Sequence, residues 1–177
     1  MFPRTEIIKG NREIELWPME PDDAPHLLSF YRSLPTADLL YLRADVTQSE
    51  AMDRWVDGLE SGQMFHLLAG YRGHIIADGE IDYPYYGWSQ HVGELRLVVD
   101  REFRGSGLSQ LLVSELLNIA FEEELLKVMV QMTVDQHAAI GLFSQLGFQR
   151  EAVLKDHVQD QHGQLRDLVI MTYFFQS

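Results

Sequence analysis

Hydrophobic and polar positions along the chain switch between a two-residue and a three-to-four-residue period, so strands and amphipathic helices alternate. The stretch "TEIIKGNREIELWPM" reads as two strands around a Lys9-Gly10-Asn11 turn. Pro21 then occupies a first helical position, with Asp22 and Asp23 in the first turn. Leu27, Phe30, Tyr31 and Leu34 form one apolar stripe of that helix, and Pro35 ends it. Thr47 and Glu50 have capping-box spacing, which predicts a second helix with Met52, Val56 and Leu59 inward. "MFHLLAGY" and "HIIADGEIDY" predict an antiparallel pair around Arg72-Gly73, and "GELRLVVD" the next main strand. A long helix follows from about Gly107 to Glu123, its Leu108, Leu112, Leu116 and Ile119 facing the sheet. "LKVMVQMTV" is the next strand. Asp135 is expected to cap a short helix that ends at Leu146-Gly147-Phe148, with Gly147 left-handed and Phe148 as the hydrophobic contact beyond it. "FQREAVLKDHV" and "QLRDLVIMTYFF" close the chain as a hairpin around Asp160 to Gly163.

With the opening hairpin taken as one β unit, the order is β, α, α, β, β, β, α, β, α, β, β. That is an α/β (α+β) chain: a mixed, largely antiparallel sheet flanked by helices, with a right-handed crossover around the long helix. No repeat, low-complexity tract or linker interrupts it, so residues 1–177 are expected to form one domain.

The 177 residues include no cysteine, which excludes disulfides, thiolate metal sites and a cysteine nucleophile. The start, "MFPRTEIIKG", lacks the apolar core of a signal peptide. No run of about 18 apolar residues is present to span a membrane. A cytoplasmic protein is the expectation. The net charge is −13, with 14 Lys and Arg against 27 acids, so no basic face is offered to nucleic acid. Such a surface keeps a chain soluble, and it also favours cationic partners such as amines.

The chemistry concentrates in "REFRGSGLSQLL", residues 101–112, where a strand hands over to a helix. Glycines let a loop curl so that several N–H groups converge, and the first amides of a helix have no internal partner. Such a nest at the positive end of a helix dipole is an anion site, suited to phosphate or pyrophosphate. Arg104 adds a positive charge. A tight turn that needs glycine only for its backbone explains the same letters. No Gly-Lys-Ser/Thr follows, so this is not a Walker loop, and Gln110 stands where a dinucleotide fingerprint needs its third glycine.

"LRLVVDREFRGSGLSQLLVSELL" resembles the central motif of the GNAT superfamily of acyl-CoA N-acyltransferases, Arg/Gln-x-x-Gly-x-Gly/Ala, at Arg104, Gly107 and Ser109. "QHAAIGLFSQLGF" resembles the family's second motif, a helix followed by Leu-Gly-Phe, and "RDLVIMTY" its last strand. The likeness runs from about Leu16 to Tyr173. It implies a GNAT-like sheet splayed between the fourth and fifth main strands, "LRLVVD" and "KVMVQM". It implies acetyl-CoA as cosubstrate and no metal. The pyrophosphate would lie on Arg104, Gly105, Ser106, Gly107, Leu108 and Ser109. The pantetheine arm would pair with the backbone of Leu97, Val98 and Val99, and a backbone N–H there would polarise the thioester. An amine would then attack directly, without a covalent enzyme intermediate.

Three positions depart from the family pattern. Ser109 replaces the usual Gly/Ala but is still small. Gln136 stands where Asn is frequent, and Phe143 where many members carry a Tyr that protonates the leaving thiolate. Gln136 and Phe143 stay in the expected cofactor-binding set. Glu94 is the candidate general base, on one strand face with Arg96 and Val98 unless a bulge shifts the parity; pairing or plain solvation explains it equally. Asp78, Glu80 and Asp82 alternate on one face and could receive a cationic substrate, although a solvated sheet face is the simpler reading. Tyr83, Tyr85 and Tyr86, beside Trp88, offer an acid or an aromatic wall. The histidines, at positions 26, 66, 74, 91, 137, 157 and 162, show no His-x-x-x-His spacing on a helix; His91 precedes Glu94. The expected activity is acetyl transfer from acetyl-CoA to a primary amine, on a small molecule or a protein lysine. The "YLR" of "LPTADLLYLRADV", similar to segments of bacterial lysine-acetylating domains, adds the lysine option. The alternative is an acyl-CoA-binding sensor with little turnover, which Phe143 favours. Homodimer formation is left open.

Overall fold

A computed structural model describes residues 1–39, 42, 45–84, 87–160 and 162–175. Strands β1 (Arg4–Ile8) and β2 (Arg12–Pro18) form the expected opening hairpin. One turn of 3-10 helix, Pro21–Asp23, leads into α1 (Ala24–Ser33); Pro21 therefore starts this turn rather than the α-helix itself. A short α2 (Thr36–Leu39) and α3 (Glu50–Ser61) follow. β3 (Met64–Tyr71), β4 (His74–Asp82) and β5 (Val92–Val99) run on as an antiparallel meander. Then come α4 (Leu108–Glu122), β6 (Lys127–Thr133), α5 (His137–Gln145) and the hairpin β7 (Gln149–Gln159) and β8 (Leu165–Phe174).

The strands form one sheet in the order β1-β2-β3-β4-β5-β6-β8-β7. Every neighbouring pair is antiparallel except β5–β6, the two strands joined by the α4 crossover. The mixed, largely antiparallel sheet with flanking helices read from the sequence is the sheet observed.

Alternation along the strands divides the core in two. Leu67, Ala69, Ala77, Ile81, Leu95 and Val99 join Leu108, Leu112, Leu116 and Ala120 of α4 in one cluster. Burying each large aliphatic side chain contributes about 1.5–3 kcal/mol. The helix comes so close that a Cβ on Gly79 would stand 2.8 Å from Leu116 Cδ1, so any larger residue there would push that leucine aside. On the other face Leu27, Tyr31, Ala51, Trp55 and Leu68 make a second cluster beneath α1 and α3.

Two caps differ from expectation. Thr47 does not cap α3. Its amide and hydroxyl both bond Asp45 Oδ1, at 3.0 and 2.5 Å, and Ser49 occupies the cap position. The local turn captured the hydroxyl first. Ala51 and Trp55 are the fully inward residues of α3, while Met52, Val56 and Leu59 are partly buried against the same cluster. Asp135 likewise does not cap α5; its carboxylate takes Arg166 Nη1 at 2.5 Å, and Gln136 is the cap residue. The helix ends as expected, with Gly147 at φ +94° and the Phe148 amide on the Phe143 carbonyl at 3.0 Å. Leu40, Tyr41, Arg43, Ala44, Tyr85 and Tyr86 lie outside the described residues, and with them two of the aromatic candidates and all of the "YLR" segment but Leu42.

Candidate functional site

The sheet forks between β5 and β6. The two strands pair only at Val92–Lys127, Gly93–Val128 and Glu94–Met129, and then part. Backbone parity shows what the fork presents. Asp100 N–H bonds the Ile76 carbonyl of β4 at 2.9 Å, in register with the β4–β5 ladder. In an antiparallel ladder the bonded positions alternate, so Val98 and Arg96 also turn their amides to β4. Leu95, Leu97 and Val99 turn theirs into the fork. The same reasoning on β6, from Val134 N–H on Asp167 O at 3.1 Å, directs Met129, Gln131 and Thr133 inward from the other side. Thr133 N–H is closed off by Gln136 Oε1 at 3.0 Å. Gln136 therefore spends its carbonyl on the edge of the fork.

The loop after β5 lies at the wide end of this fork. Asp100 caps a 3-10 turn, Arg101–Phe103, through the Glu102 amide. Gly105 and Gly107 then take φ of +70° and +89°, which side chains resist, and Gly107 is the residue that opens α4. A Cβ at either position would meet nothing within 4 Å, so the space above the loop is open. Ser106 is buried, its hydroxyl on the Phe103 carbonyl and its own carbonyl held by Lys9 N–H at 3.1 Å. The loop is thus fastened from below, with the first-turn amides of Leu108 and Ser109 at the positive end of a fifteen-residue helix.

Glu94 stands at the last paired position before the fork opens. No bulge interrupts β5 against β4, so Glu94, Arg96 and Val98 do share one face. That face is the one beneath α1 and α3, and it carries the acids. Arg96 bonds Glu80 Oε1 through Nη1 and Asp82 Oδ2 at 2.8 Å through Nη2, with Glu94 3.8 Å from its Nε. Deeper in, His66 Nδ1 is 2.8 Å from Asp78 Oδ1, and Tyr31 donates to Asp78 Oδ2 at 2.7 Å. Asp78 and Glu80 are therefore buried, not a solvated face; α1 and α3 cover them. Asp82 remains partly exposed, at 30%. His66, Asp78 and Glu80 bring their donor atoms within 4.8 Å of one another, a grouping from neighbouring strands that helical histidine spacing does not test. Those donors are engaged by one another, by Tyr31 and by Arg96.

Burial works against protonating His66, but the charges of Asp78 and then Glu80 outweigh it and hold its pKa above the usual value. Burial likewise pushes Glu80 up to about 8, against the pull of His66 and Arg96. Four carboxylates, those of Asp78, Glu80, Asp82 and Glu94, face one guanidinium and one imidazole, so the cluster keeps a proton that the unfolded chain has lost. Both folded values are raised. Their contribution is therefore full in acid and drains as pH rises towards about 8. Asp38 and Asp160, held below the carboxylate range, act only at more acid pH. Thermal unfolding should thus give a higher midpoint at about pH 6 than at about pH 8.5, and Glu80→Gln should narrow that gap. A midpoint that climbs over this window would contradict the assignment.

The remaining candidates stand as follows. Phe143 is buried against Phe148 at 5.0 Å between ring centroids. Trp88 is almost fully exposed. His91 contributes its backbone carbonyl to Leu126 and Lys127 where β6 begins. A groove lined by Phe2, Arg4, Trp17 and Asp23 lies on β1 and β2, away from the fork. Sequence reasoning missed Asp38, which reaches Arg101 and Arg104, and it read Tyr31 as core alone.

The Acetyltransferase (GNAT) family profile matches residues 24–148, more than half of the chain, and the chain belongs to that family. A GNAT-family acetyltransferase from Streptococcus pneumoniae superposes at a TM-score of 0.80, with 22% identity over 92% of this chain and 99% of its own. The ribosomal-protein-alanine N-acetyltransferase of Brucella melitensis gives 0.78, with 22% identity over 90% and 99%. A chimeric spermidine N-acetyltransferase from Vibrio cholerae and hSSAT gives 0.75, with 17% identity over 91% and 95%. At these identities the likeness is one of fold. Among curated proteins none matches the chain significantly. Among the described residues no helix is long and apolar enough to cross a membrane.

Proposed function

We propose that the chain transfers the acetyl group of acetyl-CoA to a primary amine. The observation that carries this is the fork. Its β5 edge offers the Leu97 and Val99 backbone to a pantetheine arm, as an added strand would require. The α4 N-terminus and the Gly105–Gly107 loop lie at its wide end for the pyrophosphate. The amine nitrogen attacks the thioester carbon, the C–S bond breaks, and coenzyme A leaves as the thiolate. Its pKa, near the ~8.5 of an ordinary thiol, makes it a tolerable leaving group, and Phe143 has no proton to give. Glu94, at the branch point, takes the proton from the amine, directly or through one water. The face bearing Glu94, Asp82 and Glu80 around one arginine carries excess negative charge, which suits an ammonium acceptor. Alanine of a ribosomal protein and spermidine, named for two structural neighbours, are both amines and fit this reading. Small amines and protein lysine are the acceptor classes to try.

The second reading is a binding module with little turnover, which Phe143 in place of a tyrosine favours. Acetyl-CoA at about 100 times its dissociation constant should stabilise the chain by roughly 2.7 kcal/mol. The unfolding midpoint should then rise by roughly 5–11 °C. No shift would sink both readings. Thiol release on adding amines from a panel separates them. With a responsive amine, Glu94→Gln should lower kcat about a hundredfold near neutral pH and leave acetyl-CoA affinity almost unchanged. A rate within about twofold of wild type would remove Glu94 from the base role.

A further inference from the structure

Asp38 lies on α2, far in sequence from the loop after β5, yet its carboxylate closes on that loop. Arg101 grips it from two sides, Nε on Oδ2 and Nη2 on Oδ1, both at 2.9 Å. Arg104 adds a third contact, Nη2 on Oδ2 at 3.0 Å. The same Arg104 side chain donates from Nε to the Val99 carbonyl at 3.2 Å. Val99 is one of the residues whose backbone turns into the fork. Arg104 therefore does not stand open above the glycine loop. It lies across the wide end of the fork, tied at one end to the β5 edge and at the other to α2. Leu39, the next residue, packs in the cluster beneath α1 and α3, so α2 is anchored from behind.

We propose that Asp38 and Arg104 form a latch over the acyl-CoA site, closed in the free protein and displaced as the cofactor enters. This rests on the acetyl-CoA reading above. Two groups that the cofactor would need are already taken: the charge of Arg104, which would face phosphate, and the Val99 carbonyl, which would accept from pantetheine. A phosphate approaching Arg104 also meets the Asp38 carboxylate at hydrogen-bond distance. The exchange is easy because Asp38 is not orphaned by it. When Arg104 swings to phosphate, Arg101 still holds both carboxylate oxygens in a bidentate pair. Arg101 is the fixed half of the latch and Arg104 the moving half. A closed latch lowers apparent affinity by the fraction of molecules that are open.

The test is calorimetric titration of the full chain with acetyl-CoA, for wild type, Asp38→Asn and Asp38→Ala, each first shown to unfold cooperatively. Loss of the competing carboxylate should tighten binding about threefold to fivefold, the scale of a partly exposed ion pair. Asp38→Ala, which removes the acceptor atoms as well, should tighten it at least as much. Glu60→Gln, an exposed acid on α3, controls for the general field of a chain of charge −13. An equal gain in Glu60→Gln would make the effect one of net charge and overturn the latch. Unchanged or weaker binding in both Asp38 variants, beside a wild type that binds, would overturn the latch alone. Binding by none of the four would overturn the acetyl-CoA reading and the latch with it.

Discussion

Gly107→Glu is expected to weaken acetyl-CoA binding by more than about a hundredfold while the chain still folds. Gly107 opens α4 at φ +89°, and a Cβ placed there meets no atom within 4 Å. The first side-chain carbon of the glutamate therefore has room. Its cost to the fold is the left-handed backbone, about 1–2 kcal/mol. Its carboxylate would occupy the open space over the first amides of the helix, where the pyrophosphate is proposed to sit. Each charge-assisted bond to that anion is worth roughly 1.5–3 kcal/mol, and two lost bonds already account for a hundredfold. Like-charge repulsion adds to this. Gly107→Asn is the companion, because asparagine tolerates the left-handed region and brings no charge. It should lose less than about tenfold, since the amides stay in place. A folded Gly107→Glu that binds within about threefold of wild type would return the loop to an ordinary tight turn. Midpoint shifts with acetyl-CoA and direct titration both read the outcome.

The sheet was legible in the letters because it depends on local pattern, whereas the fork between β5 and β6 was expected only from the family resemblance. The hydrophobic periods located every strand of the sheet to within a few residues, and the glycines of "RGSG" marked a loop that does take two left-handed conformations. Parity along β5 was also readable, since no bulge disturbs Glu94, Arg96 and Val98. What a short window cannot show is the layer that covers a face. The alternation Asp78, Glu80, Asp82 has the same appearance over water as beneath two helices. Only the packing of α1 and α3, through Tyr31 and Trp55, makes two of these acids interior. Asp38 was invisible for a related reason. Its nearer partner, Arg101, is 63 residues away, and Arg104 is further still, so they meet it only after the chain has folded. The caps failed through competition, the local Asp45 taking Thr47 and the distant Arg166, 31 residues on, taking Asp135.

The interior position of these acids leads to the other large expected effect. Asp78→Ala should destabilise the fold by about 3–5 kcal/mol, the usual cost of removing one partner from a buried charged network. For a chain of this length that lowers the unfolding midpoint by roughly 6–20 °C. Asp78 is fully buried, and both of its oxygens are used, one by His66 at 2.8 Å and one by Tyr31 at 2.7 Å. Without it, an imidazole with no solvent access and the hydroxyl of the buried Tyr31 lose their partner together. Tyr31→Phe removes the hydroxyl alone and should cost about 1–3 kcal/mol. The double variant should cost less than the sum, because the Tyr31 bond is already gone once Asp78 is absent. Strict additivity would mean that the two groups do not depend on each other. A midpoint drop of only a degree or two in Asp78→Ala would mean that water reaches the site. The network also joins α1 to β3 and β4 immediately beside Glu80, which holds Arg96 on the face that carries Glu94. Loosening it should disturb the amine side of the fork more than the loop at its wide end. In the transfer assay Asp78→Ala should therefore lower kcat while acetyl-CoA affinity stays close to wild type, at temperatures where the variant remains folded.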